Sequence, residues 1–472
     1  MTSLNEFLTA LDRIVWGPFL LLPLLLGTGA FLTFRLRGIQ FRTLGRALRH
    51  AFLDKEEDEG NGDISKYEAL TTALAATVGV GNIVGVATAM SIGGPGSLFW
   101  MWVTGLLGMA SKYTEAFLGS LHRETDTNGK QAGGPQYYLR KTIKGPMGGY
   151  LATFFAVATA IAAFGIGNMT QSNAVAAGMQ DSFGIPPWVS GAVMFLIVGI
   201  VLFFGIEAIG KVTSAFVPLM IVIYIVASTW VLVANIDQIP GAFALILTDA
   251  FTGTAATGGF AGAGIIMAMR MGVARGLFSN ESGMGSGAIP AAAAKTLHPV
   301  RQGLVSMTQT FIDTLVVITF TGLVLIVTGV WNHGENAANL MTSEAFGNGL
   351  PGTFGDELVS ISIIFFAFST ILGWSYYGER CMMSVFGPRS SMWYRLAFTI
   401  AVFIGAVTEL TTVWTFSDLA NGMMVLPNIV GILLVSGFVA RETRAYLRFD
   451  PQLRASAADI EKFLERRGMD WT

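Results

Sequence analysis

Long apolar runs recur along the chain, separated by short polar segments. Hydropathy read over a window of about 19 residues predicts eleven membrane spans, near 13–34, 68–92, 97–120, 149–175, 188–206, 211–235, 260–294, 300–331, 357–379, 393–411 and 415–440. Two of them are interrupted. Gly79-Val80-Gly81-Asn82 breaks the span 68–92, and Phe278-Ser279-Asn280-Glu281-Ser282-Gly283 breaks 260–294. The apolar pieces 260–278 and 284–294 are each short for a crossing, which takes roughly 20 residues, and together they make one broken span. A bilayer offers no water to free backbone N–H and C=O groups, so each break must face protein or a wet cavity. Broken helices near the midplane are where secondary transporters hold small solutes and ions.

The order of the spans carries a second signal. Setting the first aside leaves ten, and each group of five opens with a broken helix. Five is odd, so the second group starts on the opposite side of the membrane. The expected fold class is therefore all-α integral membrane, a 5+5 inverted repeat of the leucine-transporter type with one extra N-terminal helix. The expected divisions are 1–66 (extra helix and an interfacial segment), 67–237 (first repeat), 238–440 (second repeat) and 441–472 (tail).

Composition agrees. Among 472 residues, 52% are hydrophobic and 13% charged, against about 25% charged in soluble proteins. The net charge of −2 is uninformative, but its distribution is not. Of 29 Lys and Arg, 26 fall in the alternate segments 35–66, 111–146, 207–211, 295–301, 380–395 and 441–472, and 332–356 has none. The positive-inside rule then puts the N-terminus outside and the C-terminus in the cytoplasm. The first apolar run lacks a basic leader and is too long for a signal-peptide core, so a retained span is expected. GIQFRTLGRALRHAF (38–52) has the spacing of a helix lying at the headgroups, and a short helix is expected around 456–468. The single Cys381 excludes an intrachain disulfide, and the four histidines are scattered. No nucleophile–base pair, soluble catalytic domain or pore-lining charge ring is visible, which argues against an enzyme and against a channel.

The breaks define the candidate chemistry. Unwinding at Val80, Gly81 and Asn82 frees carbonyls that can ligate a cation and N–H groups that can hold a carboxylate. Ser279 and Asn280 beside Phe278 would be costly against lipid, and Glu281 can meet a substrate amine, a cation or Arg275. A third polar island, Gly165 and Asn168 followed by Gln171 and Asn173, can hold a zwitterion or join helices. Ser369 and Thr370 either bond their own helix or, facing carbonyls of the first break, make an all-oxygen site for a monovalent cation. Trp374 lies on the same face as Thr370, either filling space beside such a site or anchoring at an interface. Asp313, inside a span, is a coupling candidate by default, for a proton or a cation, or a structural partner. Glu115, Glu207, Glu379 and Arg380 read as surface groups near inner boundaries.

The runs GVGNIVGVATAMSIGGPGSLFWMWVTGLLGMASKYTEA (79–116), GGPQYY (133–138) and ARGLFSNESGMGSGAIPAAAAKT with PVRQGLVSMTQTFIDT (274–314) closely resemble the sodium:alanine/glycine symporter family. The resemblance covers most of the chain. It implies the leucine-transporter fold and sodium-coupled import of a small neutral amino acid across a prokaryotic plasma (inner) membrane. A proton-coupled transporter of the same fold, titrating at Asp313 or Glu281, is the alternative. By this resemblance, carbonyls near Ala75 and Val78 would ligate sodium together with Ser369 and Thr370. The N–H groups of Val80 and Gly81, with the Asn82 amide, would meet the substrate carboxylate. Phe278 to Asn280 would line the opposite wall, and Trp374 would favour alanine or glycine over leucine. Members often show SNEAGLGSAPIAAAAA where this chain has SNESGMGSGAIPAAAA, a set of small changes.

Overall fold

The structure, a computed structural model, describes residues 10–11, 14–17, 19–54, 60–127, 129–204, 206–252, 261–332, 338–350 and 354–467. Its helices are α1 (Leu21–Arg35), α2 (Ile39–Phe52), α3 (Lys66–Thr77), α4 (Val84–Gly93), α5 (Gly96–Leu121), α6 (Pro135–Thr142), α7 (Pro146–Phe164), α8 (Thr170–Phe183), α9 (Pro187–Phe204) and α10 (Ile206–Ala234). They continue as α11 (Ile239–Thr252), α12 (Ala261–Asn280), α13 (Ala288–Ala293), α14 (Pro299–Thr310), α15 (Thr319–Val327), α16 (Ala338–Gly349), α17 (Phe354–Phe386), α18 (Ser390–Val407), α19 (Leu410–Phe449) and α20 (Ala457–Glu465). A short hairpin, Glu124–Thr125 against Gln131–Ala132, joins α5 to α6.

Seven of the described helices are long and apolar enough to cross a membrane. α9 shows why the solvent must be lipid: Ile200, Phe203 and Phe204 are 62%, 74% and 69% exposed, an apolar surface that water would not tolerate. At about 1.5 Å per residue, the 40 residues of α19 span roughly 60 Å. That is about twice the hydrocarbon thickness, so α19 carries its basic end out of the bilayer.

The two broken helices lie at the centre, packed on α5, α14 and α17. α3 starts with a capping box: Ser65 Oγ accepts the Glu68 N–H at 3.1 Å, and Glu68 accepts the Ser65 N–H at 2.9 Å. It ends at Thr77, and a single tight turn, Val80–Asn82, leads into α4. The second break lies later than the sequence predicts. α12 stays helical through Asn280, with the Glu281 N–H still bonded to the Leu277 carbonyl at 2.8 Å. The unwound stretch is Glu281 to Gly287, where Glu281, Gly283 and Gly285 take φ of 56°, 90° and 86°. Polar side chains alone do not end a helix, whereas left-handed φ does. Phe278, Ser279 and Asn280 are thus the last turn of α12 and not part of the gap.

Two further departures matter. Five-residue hydrogen bonding widens the backbone at Gly165–Met169 and Phe311–Ile318, as π-bulges often do at functional sites. The short helices α6, α11 and α16 lie between predicted spans. α11 is tied to α5 by Asp249, whose carboxylate accepts the Gly96 N–H at 2.7 Å. Away from the site, the segment before α3 runs against the segment after α13. The Asp63 N–H reaches the Ala293 carbonyl at 2.8 Å, and the Lys295 N–H reaches that of Ile64 at 2.8 Å. The first broken helix therefore starts where the second ends.

Candidate transport site

At the first break the freed backbone groups are met by neutral side chains. Asn82 folds back so that its Oδ1 accepts the Gly79 N–H at 2.9 Å. The Val80 N–H donates to Gln171 Oε1 at 3.1 Å, and Gln171 Nε2 donates to the Ile166 carbonyl at 2.7 Å. The amide that the resemblance assigns to a substrate carboxylate is therefore held by Gln171 in this state, because that side chain reaches in from the start of α8, just after the first π-turn. Thr342 of α16, a residue with no sequence signal, donates to the Ile83 carbonyl at 3.4 Å. Two glycines allow the crowding. A Cβ at Gly79 would stand 2.3 Å from Thr370 Oγ1, and one at Gly81 3.2 Å from Phe278 Cδ1.

Beside this break, α17 brings Ser369 and Thr370 to the unravelling end of α3. Thr370 Oγ1 donates to the Ala75 carbonyl at 3.0 Å, and Ser369 Oγ lies 3.4 Å from the same oxygen and 2.9 Å from the Phe366 carbonyl. Val78, fully buried, bonds through its N–H to the Leu74 carbonyl at 2.7 Å as the helix ends. The result is a corner of neutral oxygens. Rotating the hydroxyl hydrogens away turns both side chains into acceptors, the ligand type a hard monovalent cation takes. The Phe366 carbonyl was not among the residues expected. Its only signal is its place three residues before Ser369.

Asp313 joins the two broken helices. It is fully buried in the second π-turn. Its carboxylate accepts from Asn82 Nδ2 at 2.8 Å, Ser279 Oγ at 2.9 Å and Thr314 Oγ1 at 2.8 Å. Asn280 Nδ2 extends the chain to Thr314 Oγ1 at 3.0 Å.

The second break is held by charges. Glu115 of α5, expected near a surface, is fully buried. Its Oε1 accepts the Gly285 N–H at 3.0 Å and Asn428 Nδ2 at 2.7 Å, and Asn428 also donates to the Gly283 carbonyl at 2.9 Å. Tyr138 hydrogen-bonds Asn428 in turn. Lys112, one turn earlier on α5, is buried, and a Cβ at Gly287 would stand 2.7 Å from its Nζ. Glu281 accepts from Ser286 Oγ at 2.6 Å. It does not pair with Arg275, one of the partners the sequence left open, since that guanidinium takes both oxygens of Asp418 on α19, at 3.1 and 2.5 Å. Trp414 stacks under that guanidinium at 4.3 Å and lies 4.6 Å from the Phe278 ring. Arg275, Asp418, Trp414 and Phe278 thus form a buried layer next to Ser279. Glu379, also expected at a surface, is buried on α17 and paired with Arg395 at 2.7 Å.

The third island divides. Gln171 serves the first break, as described. Asn168 Nδ2 instead donates to the Phe398 carbonyl on α18 at 2.7 Å, and Asn173 to those of Gly405 and Thr408 at 3.1 and 2.7 Å. A Cβ at Gly165 would stand 2.7 Å from Ser417 Oγ. In this structure Asn168 and Gly165 lie at contacts between helices. Trp374 is fully buried against Gly167, with its ring 5.4 Å from Tyr377, so it is not an interfacial anchor.

Two broken helices meet at a buried polar centre among helices long and apolar enough to cross a membrane, the architecture of a multi-pass membrane protein. The fold is that of a solved manganese transporter from Eremococcus coleocola, in a mutant form, at a TM-score of 0.54 with 13% identity, covering 88% of this chain and 95% of that one. The pattern of the Sodium:alanine symporter family matches residues 1–459, and the chain belongs to that family. Similar proteins include a sodium/alanine symporter of Methanococcus maripaludis, 47% identical over 93% of this chain and 97% of its own, and an uncharacterized transporter of Haemophilus influenzae, 46% identical over 94% and 97%.

Proposed function

We propose that the chain is a sodium-coupled symporter that imports a small neutral amino acid, alanine or glycine, by alternating access. The observation that carries this reading is the convergence of the Ser369 and Thr370 hydroxyls on the Ala75 carbonyl at the end of α3. Sodium is a co-transported substrate here, ligated by those hydroxyls and by the Ala75 and Val78 carbonyls, with the Phe366 carbonyl alongside. The amino acid lies between the breaks. Its carboxylate faces the Gly81 N–H and the Asn82 amide, and takes the Val80 N–H when Gln171 swings away. Its ammonium faces the carbonyl end of α12 at Phe278, Ser279 and Asn280, where the helix dipole is negative. Trp374 limits its size. Asp313 touches both halves through Asn82 and Ser279 and so is placed to couple them, with Glu281 the second coupling candidate.

We extend the reading to architecture. Eleven spans form a 5+5 inverted repeat, 67–237 and 238–440, after an extra helix within 1–66 and before a cytoplasmic tail, 441–472. The meeting of the start of α3 with the end of α13 supports this antiparallel arrangement. The charge distribution supports an outer N-terminus and a cytoplasmic C-terminus. One group of helices rocks against the other around the breaks, and coupling is reciprocal by linkage.

The test is uptake of labelled alanine, and separately of labelled glycine, into proteoliposomes with an inward sodium gradient, an inward proton gradient or neither. Accumulation with sodium alone is expected. Accumulation with protons alone would overturn sodium coupling and leave Asp313 or Glu281 as the titrating group. No accumulation of alanine or glycine in any arm would overturn the substrate assignment.

A further inference from the structure

We propose that the groove between α1 and α19 is a binding site for an anionic diacyl phospholipid. The argument begins with the backbone. α1 ends at Arg35, and Arg37 and Gly38 take left-handed φ of 58° and 62°, turning the chain sharply into the amphipathic α2. The corner leaves Arg35 and Arg37 exposed beside α19, where Arg441 and Arg444 are exposed one turn apart. These four arginines line one groove of about 1280 Å³, and no acidic residue lines it.

The four guanidiniums lack the carboxylates that other arginines of this protein possess. Arg301, Arg380, Arg395 and Arg467 sit 2.6–2.8 Å from Asp450, Asp126, Glu379 and Glu442. None of the groove arginines has an acidic partner among the described residues. Arg444 Nε donates to the Ala440 carbonyl at 3.0 Å, which orients that side chain and leaves its outer N–H groups available. Arg35 is seated over Gly437, whose missing Cβ would stand 2.8 Å from Nη2, and lies 5.6 Å from the Phe31 ring. Four guanidiniums on one groove, without an acidic partner among the described residues, suit a phosphate, since guanidinium pairs bidentately with phosphate oxygens.

The rest of the groove argues for a lipid. Phe34 and Leu434 on its wall are 85% and 66% exposed, the first on the short apolar α1 and the second on α19, which is long and apolar enough to cross a membrane. The groove is thus basic where α19 leaves the bilayer and apolar below, matching a headgroup phosphate and an acyl chain. Basic pockets between transmembrane helices recognise anionic headgroups in this way. A zwitterionic headgroup brings its own cation and answers the charge less well. The site flanks the wall that covers the second break, where Leu25 of α1 lies against Gly283.

The test uses the full-length protein in mild detergent, with bound lipid counted by native mass spectrometry after addition of phosphatidylglycerol or phosphatidylcholine. Wild type should retain phosphatidylglycerol in preference to phosphatidylcholine. The Arg441→Gln/Arg444→Gln double variant should lose about tenfold or more in phosphatidylglycerol affinity, while Arg448→Gln, an exposed arginine of α19 outside the groove, should not. All three altered side chains are exposed, and equal lipid-free melting temperatures check that folding is intact. Equal retention of phosphatidylglycerol by wild type and the double variant, or equal affinity for both lipids, would overturn the proposal. So would displacement of the lipid by millimolar glycerol phosphate, which would identify a soluble phosphate as the ligand.

Discussion

The two breaks solve one problem with different materials. At the first, Asn82, Gln171 and Thr342 satisfy the freed backbone groups, and the Ser369 and Thr370 hydroxyls adjoin them; all are neutral. At the second, Glu115, Glu281 and Lys112 crowd around Gly283 to Gly287. The difference teaches a division of labour. A hydroxyl or amide can turn at little cost, so on the proposed function the Gln171, Ser369 and Thr370 contacts are the ones exchanged for a carboxylate or an ion, while Asn82 stays tied to Asp313. A buried charge must keep its partners, so the second break is held in shape. Asp313 connects the movable side to the fixed one.

Breaking the fixed side should have the largest effect. Glu115→Ala leaves the Gly285 N–H and the Asn428 amide without this acceptor and removes a buried carboxylate from the fixed break. A loss of about 3–5 kcal/mol is expected as a sharply lower melting temperature in detergent, with Glu115→Gln clearly milder. A surface carboxylate would cost under about 0.5 kcal/mol, and that result would end the comparison.

Asp313→Asn tests the connection. The substitution replaces one acceptor oxygen with a donor facing Asn82 and Ser279, which already donate. Uptake should fall about tenfold or more with a smaller stability change than Glu115→Ala. Unchanged uptake would remove Asp313 from the coupling path.

Trp374→Ala sharpens the substrate side. Space opened beside Gly167 should shift the ratio of alanine to leucine uptake by about tenfold toward leucine, read by competition. An unchanged ratio would place Trp374 outside the pocket. Gly79→Ala should act more gently on the ion side. Its Cβ would push the Thr370 hydroxyl, raising the sodium concentration for half-maximal uptake several-fold at near-normal maximal rate.

What could be read from sequence was the interruption itself. Gly79-Val80-Gly81-Asn82 inside an apolar run needs a partner wherever it lies, and the bilayer supplies none. What could not be read was who the partner is. Glu115 and Gly285 are 170 residues apart, and Arg275 and Asp418 are 143 apart; hydropathy weighs a residue by its neighbours in sequence. For that reason Glu115 looked like a surface group and Arg275 a partner for Glu281. The polar island at 165–173 shows the same limit. Gln171 and Asn168 are alike in chemistry, and only the π-turn between α7 and α8 decides that one faces the break and the other α18.

The central claim is that the corner of Ala75, Ser369 and Thr370 holds the driving ion, and Thr370→Ala tests it most directly. Alanine uptake into proteoliposomes is measured against external sodium at saturating alanine. We predict a rise of about tenfold in the sodium concentration for half-maximal uptake, restored toward normal in Thr370→Ser, which keeps the hydroxyl. A sodium dependence identical to wild type in Thr370→Ala would contradict the account and place the ion elsewhere.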